Sequence, residues 1–121
     1  MSLLSADAIL GADDLGTEDV AVPEWGGTVR VRGMSGTERD RFESGMLADN
    51  MKVSKDKALA NYRARLAAAT LIDADGKRLF RSDAEVKRLG EKSAQALTRI
   101  AEVASRLSGL TDSDVEELTG N

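Results

Sequence analysis

Residues Glu18–Arg32 constrain the fold of this chain more than any other stretch. They read E-D-V-A-V-P-E-W-G-G-T-V-R-V-R. Val20 and Val22 alternate with Asp19 and Ala21, and Val29 and Val31 alternate with Arg30 and Arg32. A period of two marks strands that bury one face. Pro23, Glu24, the chain's one tryptophan (Trp25) and Gly26-Gly27 punctuate a turn between them. The stretch is therefore predicted to be a β-hairpin. Pairing Val22 with Val29 and Val20 with Val31 sets all four valines on one face, with Glu24–Gly27 as the loop. It also sets Ala21 across from Arg30 and Asp19 across from Arg32, an opposite-charge pair on the wet face. Pairing Val22 with Val31 instead would leave Val29 facing Glu24. Two strands alone are marginal in water, so helices or another copy must cover the valines.

What can cover them is limited by composition. The chain has 121 residues, enough for one domain with a modest core. Hydrophobic residues make up 41% but aromatics only 3%, so the core is built from alanine, leucine and valine and buries little area per residue. A partner or a second copy is a natural way to bury more. There is no cysteine and no histidine, which removes disulfides, thiolate metal sites and the commonest general base. No apolar run approaches the roughly 18–20 residues of a membrane span. Met1–Ser5 lacks the basic and apolar segments of a secretory signal, so the chain reads as a soluble intracellular protein.

Charge is divided along the chain. Residues 1–27 carry six acids and no base, residues 28–110 hold all 17 basic side chains against 11 acids, and the last eleven residues add four acids. Acidic ends around a basic middle can fold back on it, pair with a neighbour's basic surface, or simply solvate helix faces.

The remaining elements follow from caps and periodicity. Ser5 caps a short helix over Ala6–Leu10, with Leu4 and Ile9 spaced as a hydrophobic staple and Gly11 as its end. Ser35 and Glu38 have capping-box spacing and open a helix to near Asp49, with Phe42 and Met46 on its inner side. Asn50–Lys57 is polar, lysine-rich and weakly periodic, as in a mobile loop. A helix from about Asp56 to Leu71 carries Leu59, Tyr62, Leu66 and Ala69 as its stripe. Ile72–Phe80 reads as a second hairpin around Asp75-Gly76, pairing Asp73 with Arg78 and Ile72 with Leu79. Ser82 and Glu85 form another capping box, Val86 and Leu89 point inward, and Gly90 ends that helix. Glu91–Leu107 is strongly helical, with Ala94, Leu97, Ile100, Ala101, Ala104 and Leu107 on one face. Gly109 terminates it, and Thr111 caps a last acidic helix with Leu110 and Val115 as staple. The predicted class is α+β, mainly helical, in a single domain spanning 1–121. Its parts are an acidic segment (1–17), the hairpin (18–32), a helical body with the short hairpin at 72–80 (35–107) and an acidic tail (111–121).

Catalytic and metal chemistry finds no support. Asp73-Ala74-Asp75-Gly76 starts like a calcium loop, but its glycine stands fourth instead of sixth and no glutamate closes a twelve-residue loop. Gly26-Gly27 is no phosphate loop, since a strand follows it. Ser93 beside Lys92 faces another way on a helix, so no activated nucleophile results. Adjacent Glu116 and Glu117 make no glycosidase-like pair. The expectation is a non-enzyme with no catalytic, cofactor or metal residues. Arg30, Arg32, Arg39 and Arg41 cluster, yet a pI near 4.9 and the scarcity of aromatics argue against nucleic acid. Trp25, at the hairpin tip, either folds back on a helix or anchors a partner, since tryptophan is enriched at binding hot spots. Trp25, Phe42, Tyr62, Leu97 and Ile100 are the residues to probe as partner contacts.

Taken in order, V-P-E-W-G-G-T-V-R-V-R, S-G-T-E-R-D-R-F-E, D-A-D-G-K-R-L-F, L-G-E-K-S-A-Q-A-L and the closing V-E-E-L-T-G-N resemble the small tail assembly chaperones of long-tailed, siphovirus-type bacteriophages. The likeness runs from Ser5 to Asn121. It implies a non-enzymatic protein of the host cytoplasm, absent from the mature virion. Such a protein binds the tape measure protein, keeps it soluble and promotes tail tube assembly around it. Many members of that family also have a frameshifted longer form that recruits the tail tube protein. Tape measure protein, tail tube protein and other copies of the chain are thus the expected partners, with no membrane and no cofactor. Self-association into a ring or spiral, through the hairpin or the acidic leader, is a natural extension. The rival readings are a structural tail or head–tail connector protein, and a small nucleic-acid-binding regulator.

Overall fold

The hairpin forms, in a register two residues away from the expected one. In the computed structural model, which describes residues 2–50 and 55–119 (without the side chains of 48–50 and 55–61), β1 (Thr17–Val22) pairs antiparallel with β2 (Gly27–Arg32). Val20 lies opposite Val29, Val22 opposite Gly27 and Asp19 opposite Arg30. The expected pairs Val22–Val29 and Asp19–Arg32 do not occur. The turn decides this. Pro23–Trp25 makes one turn of 3₁₀ helix, and the Gly26 N–H donates to the Pro23 carbonyl at 3.1 Å with Gly26 at φ +75°. Proline presets the entry and glycine supplies the left-handed exit, so the loop is Pro23–Gly26. A slip of two residues conserves parity, which keeps all four valines on one face. Arg30 then binds Asp19 through two bonds of 2.7 and 3.1 Å.

A third strand completes the sheet in the order β1-β2-β3. It is β3 (Leu71–Ile72), antiparallel to β2 with Leu71 opposite Val31 and Ile72 opposite Arg30. The predicted second hairpin shrinks to a tight return. Ile72 bridges Arg78, not Leu79, and the Asp73 N–H donates to Lys77, not to Arg78. Asp75-Gly76 is part of a three-residue loop with Gly76 at φ +82°. The Asp73 carboxylate holds that loop by accepting from the N–H groups of Asp75 and Lys77 at 2.8 and 2.9 Å.

The helices begin where short polar side chains can cap them. They are α1 (Ala6–Leu10), α2 (Gly36–Asn50), α3 (Lys55–Thr70), α4 (Asp83–Leu89), α5 (Ala94–Leu107) and α6 (Asp112–Thr119). Of the lysine-rich loop expected at Asn50–Lys57, Asn50 instead ends α2 and residues 55–57 open α3, while residues 51–54 lie outside those described. Complete capping boxes stand at Ser35/Glu38 and Ser82/Glu85. Thr111 and Asp114 reciprocate in the same way at α6. Helix α5 starts at Ala94 instead of Glu91 because the Ser93 hydroxyl accepts from the Ala96 N–H. It ends in a Schellman arrangement: Gly109 takes φ +71° and the Leu110 N–H donates to the Ser105 carbonyl at 2.9 Å.

The core lies between the sheet's valine face and the helices. Helix α5 packs on β1, β2 and α3, while α2 and α6 close over α3. Val22, Val31, Leu66, Met46, Ile100 and Ala104 are fully buried in one cluster. The fold is α+β and mainly helical, as the pattern of the sequence implies.

One close approach locks the sheet to α5. Gly33 follows β2, and a Cβ there would stand 2.4 Å from the Leu107 carbonyl oxygen. The Gly33 N–H donates to Gly16 at 2.9 Å and the Met34 N–H to the Ser108 hydroxyl at 3.0 Å, so the backbone is held in that position. Gly33→Ala should therefore cost about 1–3 kcal/mol, because a backbone atom cannot yield as a side chain can. The urea midpoint of Gly33→Ala should fall clearly, while Gly27→Ala, whose Cβ meets nothing within 4 Å, should leave it nearly unchanged.

Several carboxylates also couple the fold to pH. Asp114 is held below its ordinary pKa by the Thr111 N–H first, then by the Thr111 hydroxyl and Arg39. Asp19 is lowered by its bonds to Arg30 and Glu24 by its bonds to Arg99. A carboxylate with a lowered folded pKa stabilises fully above its unfolded value and loses that contribution as pH falls through the folded one. The thermal midpoint should thus hold steady down to about pH 5 and drop below about pH 4. Asp114→Asn should lower the midpoint at neutral pH and flatten part of that acid slope.

Candidate functional site

Four of the five residues singled out from the sequence meet inside the core. The rings of Phe42 (α2) and Tyr62 (α3) contact edge to face with centroids 5.8 Å apart. The Tyr62 hydroxyl shares a 3.1 Å hydrogen bond with Ser105 on α5, and burial raises its pKa. Leu97 and Ile100 extend the same cluster along α5, and Ile100 is completely enclosed. Trp25 stands apart from them. Its position on the 3₁₀ turn leaves it half-buried, folded back against the core cluster with one side open. It is the member of the set that a partner can touch without opening the fold.

The acidic ends do fold back on the basic body. Arg99 and Arg106 on α5 lie one heptad apart and so share a face. Arg99 grips Glu24 through two bonds of 2.9 and 3.0 Å, and Arg106 binds Glu18 at 2.8 Å. From the other end, Asp114 meets Arg39 at 3.2 Å, and Arg39 also donates to the Gly109 carbonyl. Exposed pairs of this kind fix orientation more than they stabilise.

Two surface features were not legible in the sequence. The first is the N-terminal segment. Leu3, Leu4, Ile9 and Leu10 are exposed, Leu3 at 95% and Leu10 at 83%, and no residue of α1 is buried. Leu4 and Ile9 therefore do not form the enclosed staple that their spacing suggested. The second is a groove between α2, α3 and α4. Phe42, Ala69 and Val86 line it together with Arg41, Arg78 and Arg81. Arg41 comes from α2 and Arg78 and Arg81 from the connection between β3 and α4, so no local motif announces the three together. Among the described residues, no carboxylate lies within ion-pair distance of Arg41 or Arg81.

The Asp73 carboxylate is engaged by its own turn, and no group of three acids among the described residues is arranged to hold a metal ion. No described helix is long and apolar enough to cross a membrane. The surfaces are suited to binding polypeptide: apolar patches flanked by charge, at the tip of a hairpin, along a short helix and in a groove.

Comparison with known proteins agrees with a binding role. No curated protein and no solved structure matches the chain. A family model described as phage tail assembly chaperone matches residues 10–120, from the end of α1 through α6. A match of that extent takes in the hairpin, the arginine groove and both acidic flanks, and the chain belongs to the phage tail assembly chaperone family.

Proposed function

We propose that this chain binds the tape measure protein of a long-tailed phage, keeps it soluble and promotes assembly of the tail tube around it. The observation that carries the reading is the family match over residues 10–120. The structure supplies surfaces that suit such a role. A tape measure protein is long, helical and prone to aggregate, and a helix with an apolar stripe fits a shallow groove such as the one between α3, α5 and α6. The role requires no bond-making, so the protein acts by binding and not as an enzyme. It works in the host cytoplasm and leaves before the virion is complete. It acts as a homo-oligomer, because one small subunit covers little of a long client, and the tail tube protein is a further partner. The siphovirus type of the parent phage belongs to this same proposal.

Co-expression of this chain with the tape measure protein tests the proposal. Soluble tape measure protein should rise several-fold and should co-purify with the chain. Purified virions should lack the chain, and its presence there in stoichiometric amount would instead make it a structural component. Trp25→Ala should reduce co-purification strongly while lowering the urea midpoint less than a fully buried truncation does. Ile100→Ala, a buried change costing roughly 2–5 kcal/mol, should lower both. Unchanged client solubility with the folded wild-type chain would refute the proposal.

A further inference from the structure

The N-terminal segment is formed but buries nothing. The Ser5 hydroxyl caps α1 by accepting from the Ala8 N–H at 3.1 Å, and the Gly11 N–H closes its end on the Asp7 carbonyl at 2.9 Å. A helix this short is marginal unless its apolar side is covered. Its leucines and isoleucine are four of the six large hydrophobic side chains exposed among the described residues. Its charge is of one sign, with Asp7 on the helix, Asp13 and Asp14 in the strap that follows, and no base before Arg30. A complementary surface must therefore be apolar at its floor and basic at its rim.

Three grooves can be compared on that criterion. The one between α3, α5 and α6 sets Arg63 and Arg106 against Glu102 and Asp112, and the one beside α4 sets Arg88 and Lys92 against Glu85 and Glu91. Both are balanced. Leaving Arg65 aside, the described lining of the α2–α3–α4 groove sets Arg41, Arg78 and Arg81 against Glu38 and Asp83; Arg78 also donates to the Ala68 carbonyl at 3.1 Å, and Glu38 is already bound by Arg32 and by its own cap. The same subunit's segment is tethered elsewhere. Gly16 is pinned by the Gly33 N–H and packs on Leu107, at the C-terminal end of α5. Arg39 of α2 faces that end through Gly109, whereas Arg41 lies about 200° further round the helix.

We propose that the N-terminal segment Leu3–Leu10 of one copy docks in the α2–α3–α4 groove of a second copy. Leu3, Leu4, Ile9 and Leu10 supply the apolar contact over Ala69 and Val86, and Asp7, Asp13 and Asp14 face Arg41, Arg78 and Arg81. The interface joins two different surfaces, so each copy offers one more segment and one more groove, and association runs head to tail. The inference deepens the self-association in the proposed function and rests on it.

Sedimentation of the full-length chain across a concentration series tests this. Wild type should form assemblies larger than the 12.9 kDa monomer, reduced by raised salt. Leu4→Asp/Leu10→Asp should be monomeric, and so should Arg41→Glu/Arg81→Glu, each with an unchanged circular dichroism spectrum and urea midpoint. Mixing the two variants should yield dimers and nothing larger, because one retains only the groove and the other only the segment. A wild-type chain that stays monomeric would overturn self-association and this inference together, while the co-expression result would still stand by itself. A wild-type assembly that survives in both variants would overturn this inference alone. The groove variant losing tape measure binding while keeping full assembly would assign the groove to the client and overturn it as well.

Discussion

The fold depends on covering one valine face with one alanine-bearing helix. Val20, Val22 and Val31 cannot stay dry as a two-stranded ribbon, and α5 presents Leu97, Ile100, Ala101 and Ala104 to the buried side. Small residues let the helix lie close to its neighbours, at the cost of leaving few large side chains to fill the space. With aromatics at 3% of the chain, the Phe42–Tyr62 contact and the Met46 side chain supply much of the bulk between α2 and α3. The core is thin, and its geometry is set by backbone approach as much as by side-chain volume. Gly33 against Leu107 is where that approach is closest.

Charge then orients what burial has brought together. Arg99 and Arg106 flank the hairpin from beneath, reaching the acids near its tip and at its open end. Arg39 gathers Glu43, Gly109 and Asp114 at the junction of α2, α5 and α6. The separation of acidic ends from a basic middle is thus partly a plan for tertiary contacts. Of the acids at the two ends, Asp7, Asp13 and Asp14 ahead of β1 and Asp112, Glu116 and Glu117 on α6 have no arginine partner among the described residues, and the first three accompany the exposed leucines.

What could be read from residues alone was whatever is decided within a few positions. Ser5, Ser35, Ser82 and Thr111 each cap the helix they were expected to open, and Gly109 takes the left-handed turn expected of it. The face of the hairpin was legible, since parity survives a slip of two, but its register was not. That depended on Pro23–Trp25 coiling into a 3₁₀ turn, which alternating valines do not report. The pairing of β3 with β2 joins residues at least 40 positions apart, and the arginine groove brings Arg41 of α2 to Arg78 and Arg81, beyond any local pattern. The buried places of Phe42, Tyr62, Leu97 and Ile100 follow from the same stripes that suggested them, because an apolar stripe looks alike whether it meets its own fold or a partner.

The sheet order β1-β2-β3 leaves β1 at the margin, with no described strand hydrogen-bonded along its outer side. An unpaired margin is a template on which extended chains can add, the route by which partly folded polypeptides aggregate. A protein whose family binds other phage tail proteins is exposed to that hazard. Here the margin carries Glu18 and Asp19, is preceded by Asp13 and Asp14, and stops at Pro23, which has no N–H to offer. Like charge and a missing donor discourage a further strand, so growth of the sheet on that side is disfavoured.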